Sequence, residues 1–433
     1  MCPEPINLTK RDLMRRYLLC ATVLATPIMA TAQNPQRDSV ARADSIARAD
    51  SIAIVRELEA LQPRDTTTRP PAQAGPVNAR LLPDISVVGD MIADFSPKGS
   101  TQEGGERFGI REVEIALQAA VDPYFRGDVF IGVSDEEGAV IEQAYLTATA
   151  LPGQFEARLG RFFMPVGKQM ATHRHALHTI EYPYVIQGFF GPEGLKGTGV
   201  YVSRVVAPLG FYQEIIGTVV DRFGEAPEDV VSSEPPNRKL SGLGYSARLR
   251  NYWDLSEAAN IELSFSGITG MREQEIGFEI DGLTAINRRQ SVIGADFTYR
   301  WRPLQQGLYK SFILQTELMQ QRNPGSLPQF VISLPAGEAT PIPTGNFTGG
   351  YAFARYQTSR RTFLGARFDF LEDPARDGAN TRAASGYMEF FPSEFSKLVA
   401  GFERYMPGAG DKAINRLILQ ATFALGPHKP HPF

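Results

Sequence analysis

The sequence is poor in the residues that cross-link small domains and that form membrane-spanning helices. Cysteine occurs twice in 433 residues, at Cys2 and Cys20, so every later part of the chain lacks it. Disulfides and thiolate metal sites are therefore excluded there. After residue 32 no run of eighteen uncharged apolar residues occurs. This absence excludes transmembrane helices from residue 33 onward.

The sequence also lacks an excess of positive charge. It contains 44 basic and 48 acidic residues, which gives a net charge of −4. A protein that binds nucleic acid needs a basic surface to neutralise the phosphate backbone. We therefore exclude nucleic acid as a partner.

The N-terminus has the pattern of an export signal. Residues 1–32 carry four basic side chains followed by an apolar stretch that ends in Ala30-Thr31-Ala32. This order predicts a secretory signal peptide that is cleaved before Gln33, leaving a cysteine-free chain with a net charge of −6. The alternative is a lipoprotein signal that uses Cys20, but Leu19 stands where such signals have a small residue.

Residues 33–83 are predicted to form a periplasmic arm and linker. A six-residue repeat rich in Ala, Arg, Asp and Ser occupies residues 37–53. Six residues of α-helix turn through about 600°, so the apolar residues of successive repeats do not share one face. The repeat therefore favours a short helical or disordered arm over a long coiled coil. Residues 63–83 are rich in Pro and Thr and are typical of a linker.

From residue 84 the pattern changes to a period of two, which is typical of strands with one apolar and one polar face. In 113–121 every odd position is apolar, whereas Glu112, Glu114 and Gln118 occupy even positions. Sixteen segments of this kind occur between residues 84 and 425.

The lengths of the links between these segments alternate. Links after even-numbered segments are short, whereas most links after odd-numbered segments are long. The long links are 96–107, 164–196, 222–239, 270–287 and 322–345. A membrane barrel has tight periplasmic turns and long outer loops. We therefore predict an all-β fold for residues 84–433, an antiparallel transmembrane barrel of about 16 strands, with Trp253 and Trp301 at the short-turn ends of their strands.

A motif in the middle of the sequence identifies a related family. Its parts are Ala144-Tyr145-Leu146, Leu151-Pro152-Gly153 and the run from Arg158 to Lys168, in which glycine occupies positions 160 and 167. Together they resemble the porin O/P group, the phosphate-selective porins of bacterial outer membranes. The resemblance is local, and elsewhere only the architecture and the order of connections agree.

The resemblance implies a homotrimeric porin of sixteen strands whose third outer loop folds into the lumen and narrows it. Here that loop is residues 164–196. It offers Lys168, Arg174 and Lys196 but lacks the dense lysine cluster of the phosphate-selective pattern. Phosphate therefore remains one candidate among small anions.

Several basic residues fall in the lumen-facing phase of the strands or in this loop. A pore that conducts ions needs fixed charges that face water. We predict that the following residues line the pore and set its selectivity: Arg126, Arg158, Lys168, Arg174, Arg248, Arg250 and Arg367. The alternative is that these residues pair with carboxylates on neighbouring strands and only solvate the wall.

Three of the five histidines, His173, His175 and His178, lie in the predicted constriction loop. Their spacing would suit zinc if the loop bent appropriately. No cysteine lies near them in the sequence, and no neighbouring residue is a clear hydrogen-bond partner for a ligating imidazole, so we interpret them as solvated or hydrogen-bonded side chains. The sequence accordingly predicts no metal site and no cofactor.

Catalytic motifs are absent as well. The sequence has neither a Gly-x-Ser-x-Gly elbow nor a phosphate-binding Gly-x-x-x-x-Gly-Lys-Ser/Thr loop. A plugged transporter of about 22 strands does not fit the remaining 401 residues. The sequence predicts a non-enzymatic outer-membrane porin, embedded in lipid, for small hydrophilic or anionic solutes. The alternative is a non-conducting barrel that serves as an anchor or a binding module.

Overall fold

The computed structural model describes residues 83–427, apart from 103–104, 135–137, 222, 224–239, 281–282, 324–344 and 377, and without the side chains of 273–288 and 375. The predicted signal peptide and the predicted arm as far as residue 82 lie outside the described residues, as do His428, His431 and Phe433.

The described chain forms a closed antiparallel barrel of sixteen strands. Each strand pairs with its neighbours in sequence, and β1 pairs with β16 to close the barrel. The strands are β1 Asp84–Asp94, β2 Phe108–Ala120, β3 Phe125–Ser134, β4 Gly138–Ala148, β5 Phe155–Phe163, β6 Lys196–Val206, β7 Tyr212–Val220, β8 Gly244–Ser256, β9 Ala259–Ile280, β10 Leu283–Trp301, β11 Phe312–Asn323, β12 Gly345–Gln357, β13 Thr362–Asp373, β14 Ala379–Ser393, β15 Ser396–Met406 and β16 Ile414–Leu425. The predicted fold class and strand number are confirmed.

One predicted long loop is wrong. The sequence predicts a link at 270–287, but β9 and β10 continue as paired strands through this region, and Ile280 pairs with Leu283. The segment Arg272-Glu273-Gln274-Glu275 is polar at every position. A strand pair that extends beyond the membrane has water on both faces, so its alternation disappears while its backbone pairing persists.

The outer wall of the barrel is apolar. Along β16, Leu417, Leu419 and Leu425 are at least 40% exposed, whereas Ile418 and Gln420 between them are buried. Large exposed apolar side chains occur on many other strands, including Leu159, Ile215, Phe265, Ile293, Leu318, Leu364 and Phe402. A closed barrel with a continuous apolar wall fits hydrocarbon, since all its backbone groups are paired internally. These features are those of a transmembrane β-barrel.

Aromatic side chains gather at the short-turn end. Trp253 lies near the end of β8 and contacts Phe211, with ring centroids 4.7 Å apart. Trp301 is the last residue of β10. The pair Phe363 and Phe391 lies at the same end, with ring centroids 5.5 Å apart. Aromatic rings at this level are typical of the interface between membrane and water.

The helical elements of the described residues are short. They comprise the α-helix α1 at Tyr184–Phe190 and the 3₁₀ turns Pro152–Gln154, Arg174–Ala176, Leu240–Gly242 and Pro374–Arg376. Within the part of the chain that the structure describes, no helix has the length and apolar character needed to cross a membrane.

Candidate functional site

The link between β5 and β6, residues 164–195, folds inside the barrel and is called loop 3 below. It contributes ten buried apolar side chains to the main core cluster: Met164, Val166, Met170, Leu177, Tyr182, Val185, Ile186, Phe189, Phe190 and Leu195. They pack against inward-facing side chains of the wall, among them Val220, Phe223, Ile268, Val292, Met319, Tyr351, Phe353 and Leu371. Loop 3 and the wall therefore share one hydrophobic core within the lumen.

Two glycines, one in β5 and one at the beginning of loop 3, allow close contacts with the neighbouring wall. Gly160 has φ +138°, and a Cβ at that position would collide with the carbonyl oxygen of Ala144 on β4. Gly167 has φ +69°, and a Cβ there would collide with the carboxylate of Glu317 on β11. Residues that carry a Cβ rarely adopt such backbone angles, and neither position has space for a Cβ. Both positions therefore require glycine.

Hydrogen bonds fix the beginning of loop 3 to the opposite wall. Glu317 Oε1 accepts hydrogen bonds from the backbone N–H groups of Lys168 and Gln169, both at 2.8 Å. The Lys168 ammonium pairs with Glu262 on β9 at 2.7 Å. Burial lowers the pKa of Lys168, and Glu262 counteracts this shift only in part. Lys168 therefore anchors the loop through both its backbone and its side chain.

Two predicted pore arginines also hold loop 3. Arg248 is 6% exposed, donates to the carbonyl oxygen of Gly167 and pairs with Asp296 at 2.9 Å. Arg367 is 3% exposed and donates to the carbonyl oxygen of Glu181 at 2.7 Å. Both guanidinium groups face loop 3 and have little contact with open solvent.

The polar part of loop 3 forms an ion-pair chain with the wall. Arg174 pairs with Glu181 at 2.9 Å, Glu181 pairs with Arg111 of β2 at 3.2 Å, and Arg111 also pairs with Asp90 of β1. Burial would raise the pKa of Glu181, but Arg174 and Arg111 outweigh it and lower that pKa to about 2. Glu181 is therefore ionised at neutral pH, and the chain of pairs is intact.

The three loop histidines do not converge on one point. His173 and His175 lie against Glu114 of β2. His178 is directed elsewhere, stacked on Phe353 with ring centroids 6.2 Å apart. Burial lowers the pKa of His178 well below its ordinary value, so this imidazole is neutral at pH 7.

The remaining predicted pore residues lie on the inner wall toward the short-turn end, on β3, β5 and β8. The side chains of Arg126, Arg158 and Arg250 are 40%, 32% and 34% exposed. Each pairs with a carboxylate: Arg126 with Asp128 at 2.6 Å, Arg158 with Glu156 at 2.7 Å and Arg250 with Glu214 at 2.7 Å. The structure thus divides the seven predicted residues between loop anchors and partly solvated wall groups.

Sequence reasoning missed Arg111, one of the residues that hold loop 3. Arg111 occupies an odd position in β2, where the alternation predicts an outward direction, but its side chain is only 5% exposed. A register shift opposite Asp90 and Met91 explains the difference. A β-bulge of this kind redirects one side chain without changing the neighbouring pattern.

The sequence has a distant relative among known proteins. No protein-family model matches the sequence. An uncharacterized protein of Aquifex aeolicus (strain VF5) is 26% identical over 404 residues, covering 81% of this chain and 80% of that protein.

Solved outer-membrane structures share the fold. A loop L8 deletion mutant of OmpT, an outer membrane protein of Vibrio cholerae, matches with a TM-score of 0.51 and 10% identity over 79% of this chain and 99% of that one. The anion-selective porin from Comamonas acidovorans matches with a TM-score of 0.51 and 7% identity over 79% and 99%. Pseudomonas putida OprB, in its high-pH structure, matches with a TM-score of 0.50 and 10% identity over 79% and 94%. At these identities the likeness concerns the fold.

Proposed function

We propose that the protein is a passive diffusion channel for small hydrophilic solutes, with a preference for anions. The observation that carries this proposal is the group of partly exposed guanidinium groups of Arg126, Arg158 and Arg250 on the inner wall. Because each is paired with a carboxylate, its charge is largely compensated, and an anion meets N–H donors without a deep energy well. This balance favours passage over tight binding.

In this proposal the buried basic residues have a different role. Lys168, Arg174, Arg248 and Arg367 hold loop 3 in place and thereby set the aperture. Their charges are committed to carboxylates and to loop carbonyl groups. Selectivity then depends mainly on the three partly exposed arginines.

Phosphate transport, a homotrimer and the domain organisation are part of the proposal on the strength of the sequence. The motif at residues 144–168 resembles the porin O/P group, which supports phosphate among the solutes and three copies per assembly. A signal peptide at 1–32 would direct residues 33–83 to the periplasm and 84–433 to the membrane. The mass of the detergent-solubilised protein, measured by light scattering, tests the number of copies.

The experiment for conduction is a planar bilayer recording of the folded protein. We expect stepwise conductance and an anion-selective zero-current potential across a KCl gradient. Arg158→Glu should shift that potential toward cations, because two carboxylates would then face the lumen beside Tyr201. The matched control is Arg204→Glu, since Arg204 is exposed and packs over outward-facing Phe155 at the same end of the barrel. An equal shift in both variants, or none in Arg158→Glu, would contradict the assignment.

The apolar core of loop 3 inside the lumen favours a second candidate function, a non-conducting barrel that serves as an anchor or a binding module. Ten buried apolar side chains occupy space that water would fill in an open pore. The same recording separates the two functions. A folded, heat-modifiable barrel that produces no conductance steps would favour the second candidate.

A further inference from the structure

Two histidines of loop 3 meet a carboxylate of the wall in a buried cluster. His173, His175 and Glu114 are 3%, 4% and 1% exposed. His173 Nδ1 contacts Glu114 Oε2, and His175 Nδ1 lies 3.9 Å from the same oxygen. One potential ligand atom from each of the three residues lies within 4.8 Å of the other two. Two imidazole nitrogens and one carboxylate oxygen therefore converge.

Further carboxylates surround this point. Oxygens of Glu112, Glu114 and Glu142 also lie within 4.8 Å of one another. Glu142 pairs with Lys196, and Glu112 Oε1 is a buried atom without a hydrogen-bond partner among the described residues. A buried carboxylate oxygen normally has a partner, so this position suits a cation or a water molecule bound to one.

The wall leaves room beside these carboxylates. Gly132 of β3 pairs directly with Glu114 of β2. A Cβ at Gly132 would approach within 3.2 Å of Glu112 Oε1 and 3.1 Å of Glu142 Cγ. A larger residue at this position would therefore crowd the carboxylates.

A second layer orients one of the imidazole rings. His173 Nε2 lies 2.7 Å from the side-chain nitrogen of Gln143 on β4. If Nδ1 binds a metal, Nε2 carries the proton and donates a hydrogen bond. The Gln143 amide accepts this bond once its oxygen turns to the ring and releases its 3.4 Å hydrogen bond from the Phe163 N–H. Histidines that bind metals usually have such a partner, which fixes the tautomer and the ring orientation.

We propose that His173, His175 and Glu114 bind a divalent transition-metal ion, with Zn²⁺ as the representative, and that Glu112 or Glu142 supplies a further oxygen. Two imidazole nitrogens with carboxylate oxygens suit zinc, whereas calcium and magnesium prefer oxygen alone. The ion would link loop 3 to β2 and balance the charge of the carboxylates. This proposal does not depend on whether the barrel conducts.

The test measures Zn²⁺ binding by isothermal titration calorimetry on the folded, tag-free protein purified from outer membranes. Every sample carries His428→Gln and His431→Gln, which removes the tail histidines as a second source of binding. We expect one ion per chain. His173→Gln, His175→Gln and Glu114→Gln should each weaken the affinity by about tenfold or more, since even changes of second-layer residues cost this much.

The matched control is His178→Gln, which removes a histidine of the same loop that stacks on Phe353, away from Glu114. Its affinity for Zn²⁺ should stay within about twofold of the parent protein. Equal losses in all variants, or no binding by the parent, would overturn the proposal. Heat-modifiable migration in electrophoresis checks that each variant is folded.

A second measurement uses the parent protein alone, so its outcome does not depend on whether a variant folds. Co²⁺ added to the parent protein should give the visible absorption bands of a four-coordinate ion, at one ion per chain, and Zn²⁺ should abolish them. A six-coordinate spectrum, or bands that persist with Zn²⁺, would also overturn the site.

Discussion

Loop 3 contains two parts that are attached to the barrel by different forces. In α1, Val185, Ile186 and Phe189 are completely buried, and Phe190 is 5% exposed. Residues 173–181, called the polar segment here, are attached by ion pairs and by hydrogen bonds to wall side chains. One part is thus held by the burial of apolar surface and the other by charge.

This difference predicts how each part responds to its surroundings. Burial of a large apolar side chain contributes about 1.5–3 kcal/mol and depends little on pH or salt. Ion pairs depend on protonation, and exposed ones are screened by salt. We infer that α1 fixes the position of loop 3 and that the polar segment is the part whose position responds to ions and acidity.

The largest expected effect comes from Phe189→Ala. The substitution leaves a cavity between loop 3 and the wall and should lower the free energy of unfolding by about 3–5 kcal/mol. Urea unfolding in lipid vesicles, followed by the fluorescence of Trp253 and Trp301, measures this loss. The control is Phe402→Ala. Phe402 is 52% exposed on the outer face, so its truncation leaves no cavity inside the protein and should lower the free energy of unfolding by less. A loss that changes markedly in 1 M salt would contradict the apolar attachment.

An intermediate effect is expected from Lys397→Met. The Lys397 ammonium on β15 donates to the carbonyl oxygens of His175 and Leu177, at 2.5 and 3.0 Å. Loss of a charged donor costs about 1.5–3 kcal/mol. Hydrogen exchange of the polar segment should therefore accelerate, while exchange in α1 stays unchanged.

The control for this prediction is Arg404→Met, which lies on the same strand with an exposed side chain. It should change the exchange of neither part. If Lys397→Met accelerates exchange in α1 as much as in the polar segment, the two parts open together and the comparison fails.

The barrel was predictable from sequence because its signals are repeated many times. Sixteen alternating segments and the alternation of link lengths together specify a closed barrel even where single strand ends are uncertain. Both β9 and β10 were predicted, but their extension through residues 270–287 escaped prediction, since alternation disappears where both faces meet water.

The attachments of loop 3 were predictable only in part. The positions of Lys168, Arg248 and Arg367 identified them as lumen groups, but alternation gives only the face of a strand and does not indicate what lies opposite. Arg111 was missed because a bulge reverses its direction. Glu114 had the correct phase, yet its approach to His173 depends on how loop 3 folds across the barrel.

The smallest effect concerns acidity and tests the charged attachment most directly. The following groups face Glu181: Arg174 of loop 3, Arg111 of β2, Arg416 of β16, Arg367 of β13 at the carbonyl, and Asp90 of β1 behind Arg111.

The pKa of Glu181 falls from an ordinary 4.5 to about 2 on folding, so its ionised form stabilises the folded state. This stabilisation is complete well above pH 4.5 and is lost as the pH falls toward 2. Between pH 7 and pH 4 we expect Glu181 to lower the free energy of unfolding by about 1 kcal/mol, and Glu181→Gln should lack this contribution. Urea unfolding of both proteins at the two pH values measures this difference. If the two proteins lose equal stability, other carboxylates carry the response, and the polar segment is not the part that senses acid.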